Sequence, residues 1–254
     1  VDVDFGKTAA DYGQHRQGFP DSLFDRLSAF GIGAPGQRVV DVGTGTGTLA
    51  RGFARRGCEV VGVDPSEPML EEARRLAGTE SATPPSFVVG TAEHTGLPAQ
   101  WADVFTAGQC WHWFDRAAAA AEARRVLRPG GRIAICHFDW LPLPGSVVEA
   151  SEQLIVQYTP GWPVNGLGMY PPWTLDLAGA GFTGMESFSY DVDALYTHES
   201  WRGRIRASAG VAASLPPERV EAFDAEHAAL LADRFPGDPL HCPHRVWALV
   251  ATRP

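Results

Sequence analysis

Residues 38–47 read RVVDVGTGTG, an apolar run that ends in one acid and opens into glycines at positions 43, 45 and 47. A continuous apolar run is what a strand covered on both faces looks like, and the alternating glycines mark a sharp turn into a helix beginning near Thr48. Glycine alone takes left-handed dihedrals at no steric cost and lets a ligand approach the backbone closely. A nucleotide-like ligand at this turn is the reading that follows. Its identity stays open at this point, because Gly45 to Ala50 also fits the G-x-G-x-x-A form of the dinucleotide fingerprint.

Working outward, strand and helix signals alternate. Glu59 to Val63 is the second strand, closed by Asp64, Pro65 and Ser66, with Ser66 placed to cap a helix whose apolar stripe is Met69, Leu70, Ala73 and Leu76. Phe87 to Val89 and Asp103 to Ala107 read as the third and fourth strands. A helix is expected from Arg116 to Arg128, ended by Pro129, Gly130 and Gly131, before a fifth strand at Arg132 to Cys136. This spacing predicts an α/β fold, a doubly wound and mostly parallel sheet with helices on both faces.

The second half is less regular. Residues 139–172 are rich in Pro, Gly and Trp and show one helical pattern, Glu149 to Tyr158. Trp173 to Ala180, Glu199 to Ser208 and Pro217 to Phe235 read as helices, and Thr183 to Val192 and Arg245 to Ala251 as strands, giving seven in all with the last expected to be antiparallel. We expect one domain over 1–254. Within it, 1–32 form N-terminal helices over the cofactor, 33–138, 183–192 and 245–254 the Rossmann-like core, and 139–182 and 193–244 helical cap insertions that bind the acceptor.

Composition sets bounds. The net charge of −9 argues against a polyanionic partner such as nucleic acid, which needs clustered basic residues. No apolar run approaches the roughly 20 residues that cross a bilayer, and Val1 to Gly13 has neither the basic leader nor the apolar core of a signal peptide. Cys58, Cys110, Cys136 and Cys242 form no C-x-x-C pair, so buried thiols in a cytoplasmic protein are expected. The segment from His241 to His244 lacks the second ligand pair of a structural zinc site, and no metal is expected.

Four segments, in order and at family spacing, resemble the class I S-adenosylmethionine-dependent methyltransferases over roughly residues 38–138. They are the turn from Val40 to Gly47, the strand end at Asp64, Gly90 to Glu93 with Leu97 and Pro98, and Leu127 to Arg132 before the fifth strand. The resemblance implies S-adenosylmethionine as cofactor, with Asp41, Gly43, Thr44, Gly45 and Gly47 around its methionine portion. Asp64 would hold both ribose hydroxyls, beside Pro65, while Met69, Ala92 and Glu93 flank adenine. A carboxylate accepting two hydroxyl hydrogen bonds suits that role because its charge strengthens each.

Tyr12 and Arg16 resemble the Y-x-x-x-R helix that covers the cofactor in trans-aconitate and ubiquinone-type small-molecule methyltransferases. Gln109 and Trp111, in a run that continues through His112 and Trp113 to Phe114, resemble the aromatic segment after the fourth strand in the same groups. Trp113, Trp140, Tyr158, Trp162, Tyr170, Trp173 and Trp201 then suggest an apolar or aromatic acceptor of the kind met in secondary metabolism. His112 and His137 are the candidates for a base, which is required only if the acceptor must lose a proton. Two other readings remain: a protein that binds the cofactor without transferring methyl, and an NAD(P)-dependent oxidoreductase.

Overall fold

The computed structural model describes residues 18–78, 83–162, 166–212 and 214–254. In chain order its helices are α1 (Asp21–Ser28), α2 (Thr48–Arg55), α3 (Glu67–Ala77), α4 (Arg116–Val126), α5 (Val147–Tyr158), α6 (Trp173–Gly179), α7 (His198–Arg206) and α8 (Pro217–Arg234). Its strands are β1 (Arg38–Val42), β2 (Glu59–Asp64), β3 (Ser86–Val89), β4 (Ala102–Gly108), β5 (Leu127–Trp140), β6 (Thr183–Tyr196) and β7 (Leu240–Thr252).

The seven strands make one sheet in the order β3-β2-β1-β4-β5-β7-β6. Strands β1 to β5 pair in parallel. β7 runs against β5: the Gly130 amide donates to the Arg253 carbonyl, Arg253 to Gly131, and Leu141 to Pro243, so numbers rise on one strand as they fall on the other. The sheet is therefore the expected α/β type, mostly parallel with an antiparallel β7.

Several boundaries differ from those expected. α4 stops at Val126, and Pro129, Gly130 and Gly131 continue β5 instead of breaking the chain, because Arg253 supplies Gly130 and Gly131 with backbone partners. β6 runs on to Tyr196 and β7 begins at Leu240, so the His241 to His244 segment is strand. α5 starts two residues early because Ser146 caps it: the Glu149 amide donates to Ser146 Oγ while Glu149 Oε2 accepts from the Gly145 amide.

The chain divides into two compact units. The sheet unit holds Gly18–His137, Tyr170–Ser189 and Trp247–Pro254. Its core includes Val40, Val42, Phe105, Ile133 and Ile135 from the sheet, Ala119 and Ala123 from α4, Leu177 from α6 and Leu249 from β7. α6, expected in the cap, falls in this unit. In the other layer Phe53 of α2 meets Phe24 of α1 edge to face at 5.1 Å.

The second, helical unit holds Phe138–Met169 and Tyr190–Val246 among the described residues. Its helices α7 and α8 are tied by Asp224, which accepts from both Arg202 and Arg206. At its centre Ser151 Oγ donates to the Val147 carbonyl (2.7 Å), so it accepts from Trp201 Nε1 (3.0 Å) and from His227 Nε2 (2.9 Å). That fixes the proton of His227 on Nε2 and leaves Nδ1 as a buried acceptor with no hydrogen-bond partner. Burial holds this imidazole down at about 4.

Candidate functional site

The carboxyl ends of β1 and β2 carry the glycine turn and the acid beside it. Gly43, Gly45 and Gly47 have φ of 58°, 55° and 78°, a region in which a side chain is strained. At Gly43 a Cβ would also collide with Cys110 Sγ at 2.8 Å and Phe114 Cζ at 2.9 Å. The Gly45 amide donates to Asp64 Oδ2 (2.9 Å) and the Ser66 amide to Asp64 Oδ1 (2.9 Å). Each oxygen so fixed keeps room for a second donor, which two adjacent hydroxyls match. Burial pushes the Asp64 pKa up, and the Ser66 and Gly45 amides pull it back.

Asp41 lies beneath the turn, 2 % exposed. Thr44 Oγ1 donates to its Oδ2 (2.6 Å) and Thr106 Oγ1 to its Oδ1 (2.8 Å). In this geometry Asp41 braces the loop. Burial pushes its pKa up to about 6, against the two threonine hydroxyls.

Around this centre, buried Met69 lies against the turn, its Cε 3.4 Å from where a Cβ on Gly45 would stand. Pro65 is exposed and Ala92 buried. Glu93 Oε1 accepts the Asp115 amide (3.0 Å) and so ties the segment after β3 to the start of α4. Gln109, at the end of β4, is held at φ 58° with its amide on the Cys136 carbonyl, a strained backbone of the kind that gathers at binding sites. Tyr12 and Arg16 lie outside the described residues.

The aromatic segment divides. Trp111, expected at the cofactor, is fully buried and donates its indole N–H to Asp176 of α6 (3.1 Å), so it is core beneath the site. Trp113 is half exposed, and His112 is exposed with its ring 4.8 Å from Trp113 and 5.8 Å from His137. His137 ends the sheet unit's share of β5, buried against Tyr170 (4.3 Å) and Trp173 (5.0 Å). Tyr170 stacks on Trp173 at 4.1 Å.

Of the expected acceptor wall, Trp113, Tyr170 and Trp173 thus belong to the sheet unit, and Trp140, Tyr158, Trp162 and Trp201 to the helical unit. Trp201 is fully buried and bonded to Ser151, and Trp173 is buried among Tyr170, His137 and Trp247, so both pack the interior instead of forming a wall. Tyr158 donates its hydroxyl to Glu226 (2.8 Å), and Trp162 packs over Gly210. Thr106, Asp176 and His227 escape a sequence reading because none sits in a local motif; each meets its partner 65 or more positions away. No His, Cys, Asp or Glu cluster among the described residues could hold a metal ion, and no helix there is long and apolar enough to cross a membrane.

Residues 40–135 match the methyltransferase domain family. The chain is 37% identical over 135 residues to an uncharacterized methyltransferase of Mycobacterium tuberculosis, covering 53% of this chain and 52% of that one. It is 37% identical over 141 residues to a demethylmenaquinone methyltransferase of Thermobifida fusca, covering 54% and 53%. A solved structure from Anaeromyxobacter dehalogenans, assigned as a type II methyltransferase, is 27% identical with a TM-score of 0.66, covering 93% of this chain and 97% of that one. The chain spans about half the length of the curated relatives it matches.

The glycine turn held to Asp64 lies within the segment that matches the methyltransferase domain family. Over residues 40–135 the chain is similar to that family.

Proposed function

We propose that this protein transfers the methyl group of S-adenosylmethionine to a small-molecule acceptor with apolar or aromatic character. The observation that carries the reading is the 2.9 Å bond from the Gly45 amide to Asp64, which sets a carboxylate directly beside a glycine-rich turn. Bound S-adenosylmethionine supplies a methyl group already activated by the sulfonium charge, so the protein's work is alignment in a dry site.

In this reading Asp64 grips the ribose hydroxyls, and Met69, Ala92 and Glu93 border adenine, with Pro65 at the rim. Gly43, Thr44, Gly45, Gly47 and Gln109 cradle the methionine portion over the Asp41 brace, and Tyr12 and Arg16 cover it. Trp113, Trp140, Tyr158, Trp162 and Tyr170 offer the acceptor aromatic surface. His112, the exposed member of the histidine pair, accepts a proton when the acceptor must shed one, with His137 behind it. The four buried cysteine thiols fit a cytoplasmic setting, and secondary metabolism suits such an acceptor.

Calorimetric titration with S-adenosylhomocysteine tests the cofactor half of this reading, and binding is expected. Incubation with methyl-labelled S-adenosylmethionine and a panel of phenols, quinols and carboxylic acids tests the rest. Label in a product supports methyl transfer. Cofactor binding with no labelled product across the panel favours a protein that binds without transferring.

A further inference from the structure

Thr106 of β4 is the register partner of Asp41 on β1. Its hydroxyl is fully buried and donates to Asp41 Oδ1 at 2.8 Å. The same oxygen stands 3.4 Å from the Val40 carbonyl, but a hydroxyl has one proton, and the shorter bond to a carboxylate takes it. Asp41 accepts from two further elements. Thr44 Oγ1 of the glycine turn donates to Oδ2 at 2.6 Å, and the Ala50 amide in the first turn of α2 donates to the carboxylate as well. Gly47 precedes that helix without a side chain to cap it, so Asp41 satisfies one of the amides that a helix start leaves over.

We propose that Thr106 is a positioning residue of the cofactor site: its hydroxyl fixes one Asp41 oxygen so that the other stays aimed at Thr44, which holds the glycine turn in the form that binds S-adenosylmethionine. This rests on the cofactor half of the reading above and adds to it a residue that touches no ligand. The terminal torsion of an aspartate is broad, so the side chain does not choose its own plane. Two hydroxyls on opposite oxygens choose it, and β4, paired on both sides between β1 and β5, is the firmer of the two anchors. Without the Thr106 hydroxyl, Oδ1 is buried one donor short and the carboxylate is free to turn away from Thr44.

The charge on Asp41 depends on the same bonds. Burial pushes its pKa up to about 6, while the donors from Thr44, Thr106 and Ala50 pull it down. Asp64, at the end of β2, is a like charge that raises it, and the buried Cys136 thiol of β5 is itself pushed up, so that it stays neutral. On α2 the nearby Arg51 acts on Glu72 of α3. Removing the Thr106 donor takes support from the ionised form, so Asp41 takes up its proton at higher pH. A neutral acid accepts from Thr44 less strongly than a carboxylate does, and the turn loosens where that happens.

Calorimetric titration of the full chain with S-adenosylhomocysteine, from about pH 8 to about pH 5, brackets the Asp41 value and tests the role. Wild-type affinity is expected to fall as pH drops through about 6. Thr106→Val should bind about threefold or more weaker at the alkaline end, part of what a bond to an ionised group contributes, and its fall should begin at higher pH. Thr106→Ser, which keeps the hydroxyl, should restore both. Unchanged affinity in Thr106→Val, a loss equal at every pH, or no restoration by Thr106→Ser would overturn the proposal, because a packing role alone moves no pH profile. Thermal midpoints show which variants are folded, and if Thr106→Val is not, Thr106→Ala against Thr106→Ser makes the same comparison. A wild-type chain that binds no S-adenosylhomocysteine at any pH defeats the cofactor reading itself, whereas binding with identical profiles in every variant defeats only the role of Thr106.

Discussion

The Gly45 amide and the Asp64 carboxylate, 19 positions apart in sequence, meet at 2.9 Å. This one bond makes the turn after β1 and the end of β2 a single object, so damage to either member reaches the other.

Asp64→Asn keeps the shape and removes the charge. Hydrogen bonds to an ionised group contribute about 1.5–3 kcal/mol, so affinity for S-adenosylhomocysteine should fall by about tenfold or more, with little change in thermal midpoint. Calorimetry decides this, and unchanged affinity would place the ribose elsewhere.

The two glycines at positions 43 and 45 share a left-handed backbone but differ in what surrounds them. Gly45→Ala meets only the flexible end of Met69 and should cost about 1 kcal/mol in backbone strain. Gly43→Ala adds collisions with Cys110 and Phe114, so its loss should be larger, about 3 kcal/mol or more. Urea melts of the two variants report the order, and the reverse order would count against the packing described here.

The two units should respond to acid in opposite directions. His227 has a folded value of about 4, under the ordinary 6.5, so the unfolded chain takes up its proton first; the helical unit then loses stability as pH falls from 6.5 to about 4. Asp41 has a folded value of about 6, over the ordinary 3.8, so the folded state holds the proton and the sheet unit gains stability as pH falls from about 6 to 3.8. Each effect reaches at most about 3 kcal/mol. Hydrogen exchange resolved by peptide should show slopes of opposite sign, removed by His227→Gln in one unit and Asp41→Asn in the other.

Asp176 holds the Trp111 indole and also lies 3.4 Å from the Arg116 guanidinium. A double-mutant cycle with Trp111→Phe and Asp176→Leu should give a coupling of about 1–2 kcal/mol in unfolding free energy. Additive losses would mean that the indole bond contributes nothing of its own.

Much of the cofactor end is legible because it is local. The glycine turn, Asp64 and the alternation from β1 to β4 each need only a short window of sequence. β5 is different: Pro129, Gly130 and Gly131 look like a terminator until Arg253 is seen to pair with them. Trp111 misleads for a related reason, since an aromatic at a strand end reads the same whether it faces ligand or core, and only Asp176, 65 positions later, distinguishes the two. In the helical unit the informative residue, His227, is defined by Ser151, a partner that no spacing rule connects to it.

The strand order has a consequence for the time course of folding. β6 is joined to the sheet through β7, yet β7 is made after it, with α7 and α8 in between. Through the synthesis of those helices β6 exists without its strand neighbour, and β5 likewise waits for Arg253 to cover Gly130. The sheet therefore closes from the inside, with a late strand wedged between two earlier ones, and pairings this distant in sequence are slow to form. Residues 240–252 act as a checkpoint: a chain that stalls before them leaves two strand edges open to other molecules.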